Sequence, residues 1–239
     1  MASVGAAFWE VARQGRWIMA ALTMRDCSMD VLRLASKWLS SLAVTGFVVY
    51  GAAAAHAQSF SADLAITTHA GAAAVPAGRL HASGNNVRLE TPDLADGFFL
   101  IDTGAPSAYF VRPSTRTFMD ARQSSRLTQW FVPVDPDNPC RRWQAMAKLA
   151  GMADTGDWRC ERTGEEIIDG QRATGYRAIM SPGHEFSGWI DAARSFPLQI
   201  KTEDGAMIIA VNICDEPQPA QLFKIAAGFR KFDPRALIE

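Results

Sequence analysis

The chain has 239 residues, 24 basic and 25 acidic side chains, and 48% hydrophobic residues. That length and apolar content suffice for one folded domain with a real core. The near-neutral balance excludes the basic footprint of a nucleic-acid-binding protein.

Residues 1–57 read as an N-terminal extension and signal peptide. Arg33 and Lys37 form a basic flank, Leu39–Tyr50 is an apolar core, and Ala55-His56-Ala57 is an A-x-A exit ahead of Gln58. Cleavage is expected between Ala57 and Gln58, with export to the periplasm. The stretch 1–28 precedes any ordinary basic flank, so Met24 or Met29 would make a more usual start. No Cys follows the apolar core for lipid attachment. From Gln58 onward 19 basic and 22 acidic residues leave a charge of −3, and no apolar run is long enough to span a membrane. Residues 58–239 are therefore expected to form a single domain.

In chain order, Phe60–Ile66 alternates as a half-buried strand, and Val75–His81 reads as a second. Ser83-Gly84-Asn85-Asn86 turns the chain into Val87–Glu90. Phe98–Ile101, Ala108–Val111 and Arg116–Met119 follow as further short strands. Asp135–Pro139 breaks this pattern and starts a helix over Cys140–Ala150, with Asn138 as N-cap, Pro139 at the first position and Gly151 closing it. Strands resume at Glu165–Ile168 and Ala173–Met180 around the Asp169-Gly170 turn. Gly188–Asp191, Pro197–Thr202 and Ala206–Cys214 follow, and the tail from Leu222 lies over an edge. The pattern predicts a mainly β (α+β) fold: a large, mostly antiparallel twisted sheet with one or two helices. Sheets of this size curl, and the apolar concave face then needs a cover.

Four segments carry a family resemblance. They are Phe60–Leu64 with Gly78–His81 and Val87–Glu90; the hairpin Phe99–Asp102 to Ala108–Val111; Gly188–Asp191 with Phe196–Leu198; and Leu222–Phe229. In this order they resemble the lipoprotein-carrier-like (Lol-type) superfamily, especially its small exported members. The resemblance implies an unclosed antiparallel half-barrel with helices over its mouth, an acyl chain or lipoprotein segment as partner, and a lid role for the helix at Cys140–Ala150. The chain departs from the pattern at Ala226, where relatives often carry Pro, and in its long Cys-bracketed insertion.

A lipid pocket needs large apolar area and few polar anchors. Leu64, Ile66, Val87, Leu89, Phe99, Phe110, Trp143 and Met146 are the candidates, although as residue types they fit plain core packing better than ligand contact. Cys140 and Cys160 close the shortest loop and are expected to form a disulfide, leaving Cys214 as a buried free thiol. His69, His81 and His184 lack metal-ligand spacing, so no metal or cofactor is expected. Phe99–Ala105 matches the apolar-Asp-Thr-Gly-Ala signature of aspartic proteases, in which paired carboxylates share a proton. With one copy, Asp102 would act only in a dimer; a hairpin turn explains the same residues. The expected function is a monomeric, non-catalytic carrier of a hydrophobic ligand. The alternatives are a dimeric retropepsin-like protease using Asp102 and an envelope adaptor without ligand.

Overall fold

A computed structural model describes residues 58–69, 71–94, 96–123, 125–152, 158–180 and 183–232. The leader and its junction at Ala57 lie outside them; Gln58 is exposed.

Two antiparallel meanders build one sheet. The first comprises β1 (Ser59–Thr67), β2 (Val75–Ser83), β3 (Asn86–Glu90), β4 (Phe98–Asp102), β5 (Ser107–Arg112) and β6 (Thr117–Asp120). The second comprises β7 (Arg159–Ile168), β8 (Gln171–Ile179), β9 (Glu185–Asp191), β10 (Phe196–Thr202) and β11 (Met207–Cys214). Between them lie two helices, α1 (Leu127–Trp130) and α2 (Pro139–Leu149). A two-residue strand, β12 (Arg230–Lys231), is the last described element. The strand order is β12-β6-β5-β4-β3-β2-β1-β11-β10-β9-β8-β7, so the meanders join where β1 pairs antiparallel with β11. Among the described residues only β12 pairs in parallel, on the β6 edge. Among the described residues no helix is long and apolar enough to cross a membrane.

The sheet is open and strongly curled. β4 and β7 are eight strand steps apart in the order, roughly 38 Å if the sheet were flat. Yet Cys140 is bonded to Cys160 of β7, and Arg142 donates from Nη1 to the Thr103 carbonyl just past β4 at 3.0 Å. These two residues of α2 are separated by a rise of about 3 Å, so only a curled sheet brings both partners within reach. The expected concave architecture with helices over one face is thus present.

Alternation along the strands sorts the residues. Phe60, Ala62 and Leu64, with Leu80, Val87, Leu89, Phe99, Ile101 and Phe110, point inward and are all buried. From the second meander Ala178, Phe186, Ile190, Phe196 and Ile200 join the same core. On the opposite face residues 215–232 cross the first meander. Glu216 accepts from Ser61 Oγ at 3.1 Å, and His81 Nδ1 donates to Gln218 Oε1 at 2.8 Å. Arg88 donates from Nη1 to the Leu222 carbonyl at 3.3 Å, and β12 then seals β6. The tail does reach an edge, as expected, but only after crossing the convex face.

Candidate functional site

The residues expected to meet a ligand converge under α2. Pro139 opens this helix with no N–H to satisfy, and Gly151 ends it at φ +79°, where a side chain would be strained. Asn138 stands at the N-cap, but its side chain makes no capping hydrogen bond. Trp143, Met146 and Ala147 recur on one helical face and are buried.

Trp143 is the centre of this cover. It is 1% exposed, its indole N–H donates to the Trp130 carbonyl at 3.1 Å, and its ring meets Phe186 at 5.0 Å. Beneath it β9 carries Gly188. A Cβ there would stand 2.5 Å from the indole, so glycine is required by close approach. Trp130 and Trp158 also pack on Phe186, at 5.5 and 6.1 Å between centroids. The aromatic cluster around Phe186 was not read from the sequence. Its members come from α1, α2, β9 and the approach to β7, and no local period links them.

All eight candidates belong to one apolar cluster. Leu64, Val87, Leu89, Phe99, Phe110, Trp143 and Met146 are buried, and Ile66 is half-buried against them. A cleft of about 190 Å³ opens at the rim of the concave face, and none of the eight lines it. Its walls include Gln58, Phe60, Asn85, Pro133, Arg194 and Phe196, with Phe60 and Phe196 in an edge-to-face pair at 5.1 Å. The cleft is smaller than the roughly 300–1,000 Å³ typical of small-molecule pockets.

Arg194 braces that rim. It donates from Nε to Asp215 at 2.8 Å, from Nη1 to Gln171 at 3.2 Å, and forms an ion pair with Asp191. Burial disfavours its charge, yet the hydrogen bonds to Asp215 and Asp191 outweigh that and raise its pKa. On β8, Tyr176 donates its hydroxyl to the Pro136 carbonyl at 2.6 Å, and burial raises its pKa.

The Cys140–Cys160 disulfide is present and ties the start of α2 to β7. Cys214 differs from expectation. It is a half-exposed residue at the end of β11, facing away from the core, and it is disulfide-bonded rather than a free thiol.

Asp102 ends β4, and its Oδ1 accepts the backbone N–H groups of Gly104 and Ala105 at 2.7 and 3.1 Å. This is the side-chain-to-backbone pattern of an Asx turn. Thr103 Oγ1 donates to the Asn85 carbonyl at 3.2 Å, binding the turn to the β2–β3 hairpin. Asp-Thr-Gly is therefore used here as turn chemistry, with Ser107 opposite Asp102 in the hairpin register. The histidines are dispersed: His81 sits under the tail, while His184 faces Glu203 at 3.3 Å.

No protein-family model matches the chain, and no curated protein matches it. Solved structures give loose likenesses. A domain assigned to outer membrane lipoprotein sorting, from Vibrio parahaemolyticus, is 12% identical over 70% of this chain and 89% of its own, with a TM-score of 0.32. MucB of Pseudomonas aeruginosa, in its complex with MucA, is 17% identical over 72% of this chain and 56% of the matched chain, at 0.39. PNGF-II is 8% identical over 76% of this chain and 32% of its own, at 0.48. The chain thus spans about half of the MucB complex entity it matches and a third of PNGF-II. At these scores the likenesses carry no functional argument.

Proposed function

We propose that this protein is an exported, non-catalytic domain of the carrier kind, which takes up an apolar ligand such as an acyl chain or the lipidated segment of a lipoprotein. One observation carries the reading: residues of β1, β3, β4 and β5 form a single apolar surface, and α2 lays Trp143 and Met146 on it. The disulfide fixes the first turn of α2 to β7. Loading requires the rest of the helix to swing about that point, lifting Trp143 and Met146 from the floor. The disulfide also fits an oxidising compartment, in keeping with periplasmic residence.

Native mass spectrometry of protein purified from an oxidising periplasm tests this. The expected result is bound mass that releases fatty-acid or phospholipid species on denaturation. A clean apo protein, with no lipid taken up from vesicles, would sink the reading.

A second reading is an envelope adaptor without ligand. What favours it is the filling of the concave face: seven of the eight candidate residues are buried, and the rim cleft holds about 190 Å³. An adaptor retains no lipid and instead holds a protein partner during purification under crosslinking.

A further inference from the structure

Charge is divided unevenly along the folded domain. Residues 107–157 and 224–232 carry 10 basic and 5 acidic side chains, while the rest of 58–239 carries 9 and 17. A domain with a net charge of −3 therefore has one part at +5 and another at −8. A field of that kind turns a protein towards an oppositely charged surface. The basic part holds β5, β6, β12, α1 and α2, and its three strands are neighbours at one end of the sheet.

Contacts join this part into one surface. Lys231 of β12 and Arg122 both act on the Asp120 carboxylate at the end of β6. Beside Arg122, a Cβ on Gly151 would stand 2.7 Å from the Gln123 amide nitrogen, so the C-terminal end of α2 abuts the end of β6. From there the outer face of α2 carries the surface on. Arg141, Ala145 and Lys148 recur along it and are exposed, while Trp143, Met146 and Ala147 face the sheet. Arg126, at the start of α1, is also exposed. Arg126, Arg141 and Lys148 form no ion pair with a described residue. The acidic residues Asp135 and Asp137 flank Pro136, which Tyr176 of β8 holds at the opposite end of the helix.

An apolar side chain stands among these bases. Met152 is 47% exposed, four residues beyond Lys148, and its backbone N–H is fixed by the Ala147 carbonyl at 3.2 Å. A partner for this surface must offer negative charge and, just behind it, an apolar layer. An anionic phospholipid bilayer offers both, headgroups to the bases and acyl chains to Met152. The apolar face of α2 is already buried on the sheet, so the helix rests on the headgroups and does not insert.

We infer that the outer face of α2, with Arg122, Arg126 and Lys231 beside it, is a docking surface for an anionic phospholipid bilayer. The contact is electrostatic, reversible and weakened by salt. It sets the cover helix against a source of lipid, yet it does not require the carrier reading. Docking is read from protein bound to vesicles, and cargo from lipid kept after the vesicles are removed.

Cosedimentation of the purified protein with vesicles tests it. At low salt the protein should pellet with vesicles of equal parts phosphatidylglycerol and phosphatidylcholine, and bind phosphatidylcholine alone at least about tenfold more weakly. Salt at about 0.5 M should release it. The triple variant Arg126→Gln/Arg141→Gln/Lys148→Gln should weaken binding about a hundredfold, since each basic side chain at an anionic surface contributes about fivefold. Arg162→Gln/Arg172→Gln/Lys201→Gln removes the same charge from the second meander and should bind as the parent does. Unchanged melting temperatures confirm that the variants fold. Equal binding to the two kinds of vesicle overturns the inference. So does a first triple variant that binds like the parent, or a second that binds as weakly as the first.

Discussion

On the concave side α2 lays Trp143 and Met146 on an apolar floor and is bonded covalently to β7, while on the convex side residues 215–232 cross the strands on polar contacts. The first cover excludes water from a continuous hydrophobic surface. The second exchanges hydrogen bonds with solvent and gains little per contact. The difference teaches where this fold stores its stability and where it has freedom. A cover made of buried aromatic rings is expensive to lift, and a carrier must still lift it.

Substitution of Trp143 measures that cost most directly. Trp143→Ala removes the ring between Phe186 and Gly188 and should lower unfolding free energy by about 3–5 kcal/mol in urea titration. A loss under about 1 kcal/mol would break the comparison, because α2 would then be held no more tightly than the tail. Removing the disulfide comes next. Cys140 and Cys160 are 20 residues apart, and losing such a closure costs about 3 kcal/mol. Cys140→Ser with Cys160→Ser should show it as a shift in the urea midpoint. If lipid uptake from vesicles also becomes faster, the pivot role is sharpened.

The convex cover should respond less. Gln218→Ala removes the bond to His81 and should cost about 1 kcal/mol in the same titration. A cost as large as that of Trp143→Ala would erase the contrast. The smallest effect is expected at Asp120, whose pKa is lowered chiefly by the Arg122 hydrogen bond. A depressed carboxylate pKa adds stability above the unfolded value, near pH 4, and loses it as pH falls through the folded value. Both side chains are well exposed, 39% and 43%, so Asp120→Asn should cost no more than about 0.5 kcal/mol at neutral pH. That difference should fade in strongly acidic solution, which chemical denaturation at pH 7 and pH 3 would reveal.

Much of the fold is written locally. Alternation in Phe60–Ile66 and Val87–Glu90 marks strands within a residue or two of their ends, and Pro139 with Gly151 brackets α2. The turn at Asp169-Gly170 also stands where expected, with both residues at positive φ. β7 was read too short, from Glu165, because Arg159–Gly164 carries the polar sequence of an exposed edge and not an apolar alternation. Sequence period also gave no hint of α1, which is four residues long, nor of the path of residues 215–232, whose contacts are polar and distant in sequence. At the candidate site the apolar residues were legible, but whether they meet a ligand or one another was not, since burial on one face produces the same alternation either way. Arg194 went unnoticed because its partners Gln171 and Asp215 lie 23 and 21 residues away.

The pairing of β1 with β11 has a kinetic consequence. Asp63 and Asn212 meet although they are 149 residues apart in sequence. Closing so long a loop costs entropy before any contact is gained, and folds rich in such contacts form slowly. Until Met207–Cys214 has emerged, β1 and β10 each present a bare edge, and the two meanders have no shared strand to unite them. The joined sheet is therefore withheld until β11 has been made, and a chain lacking β11 retains two unpaired strand edges of the kind that invite aggregation.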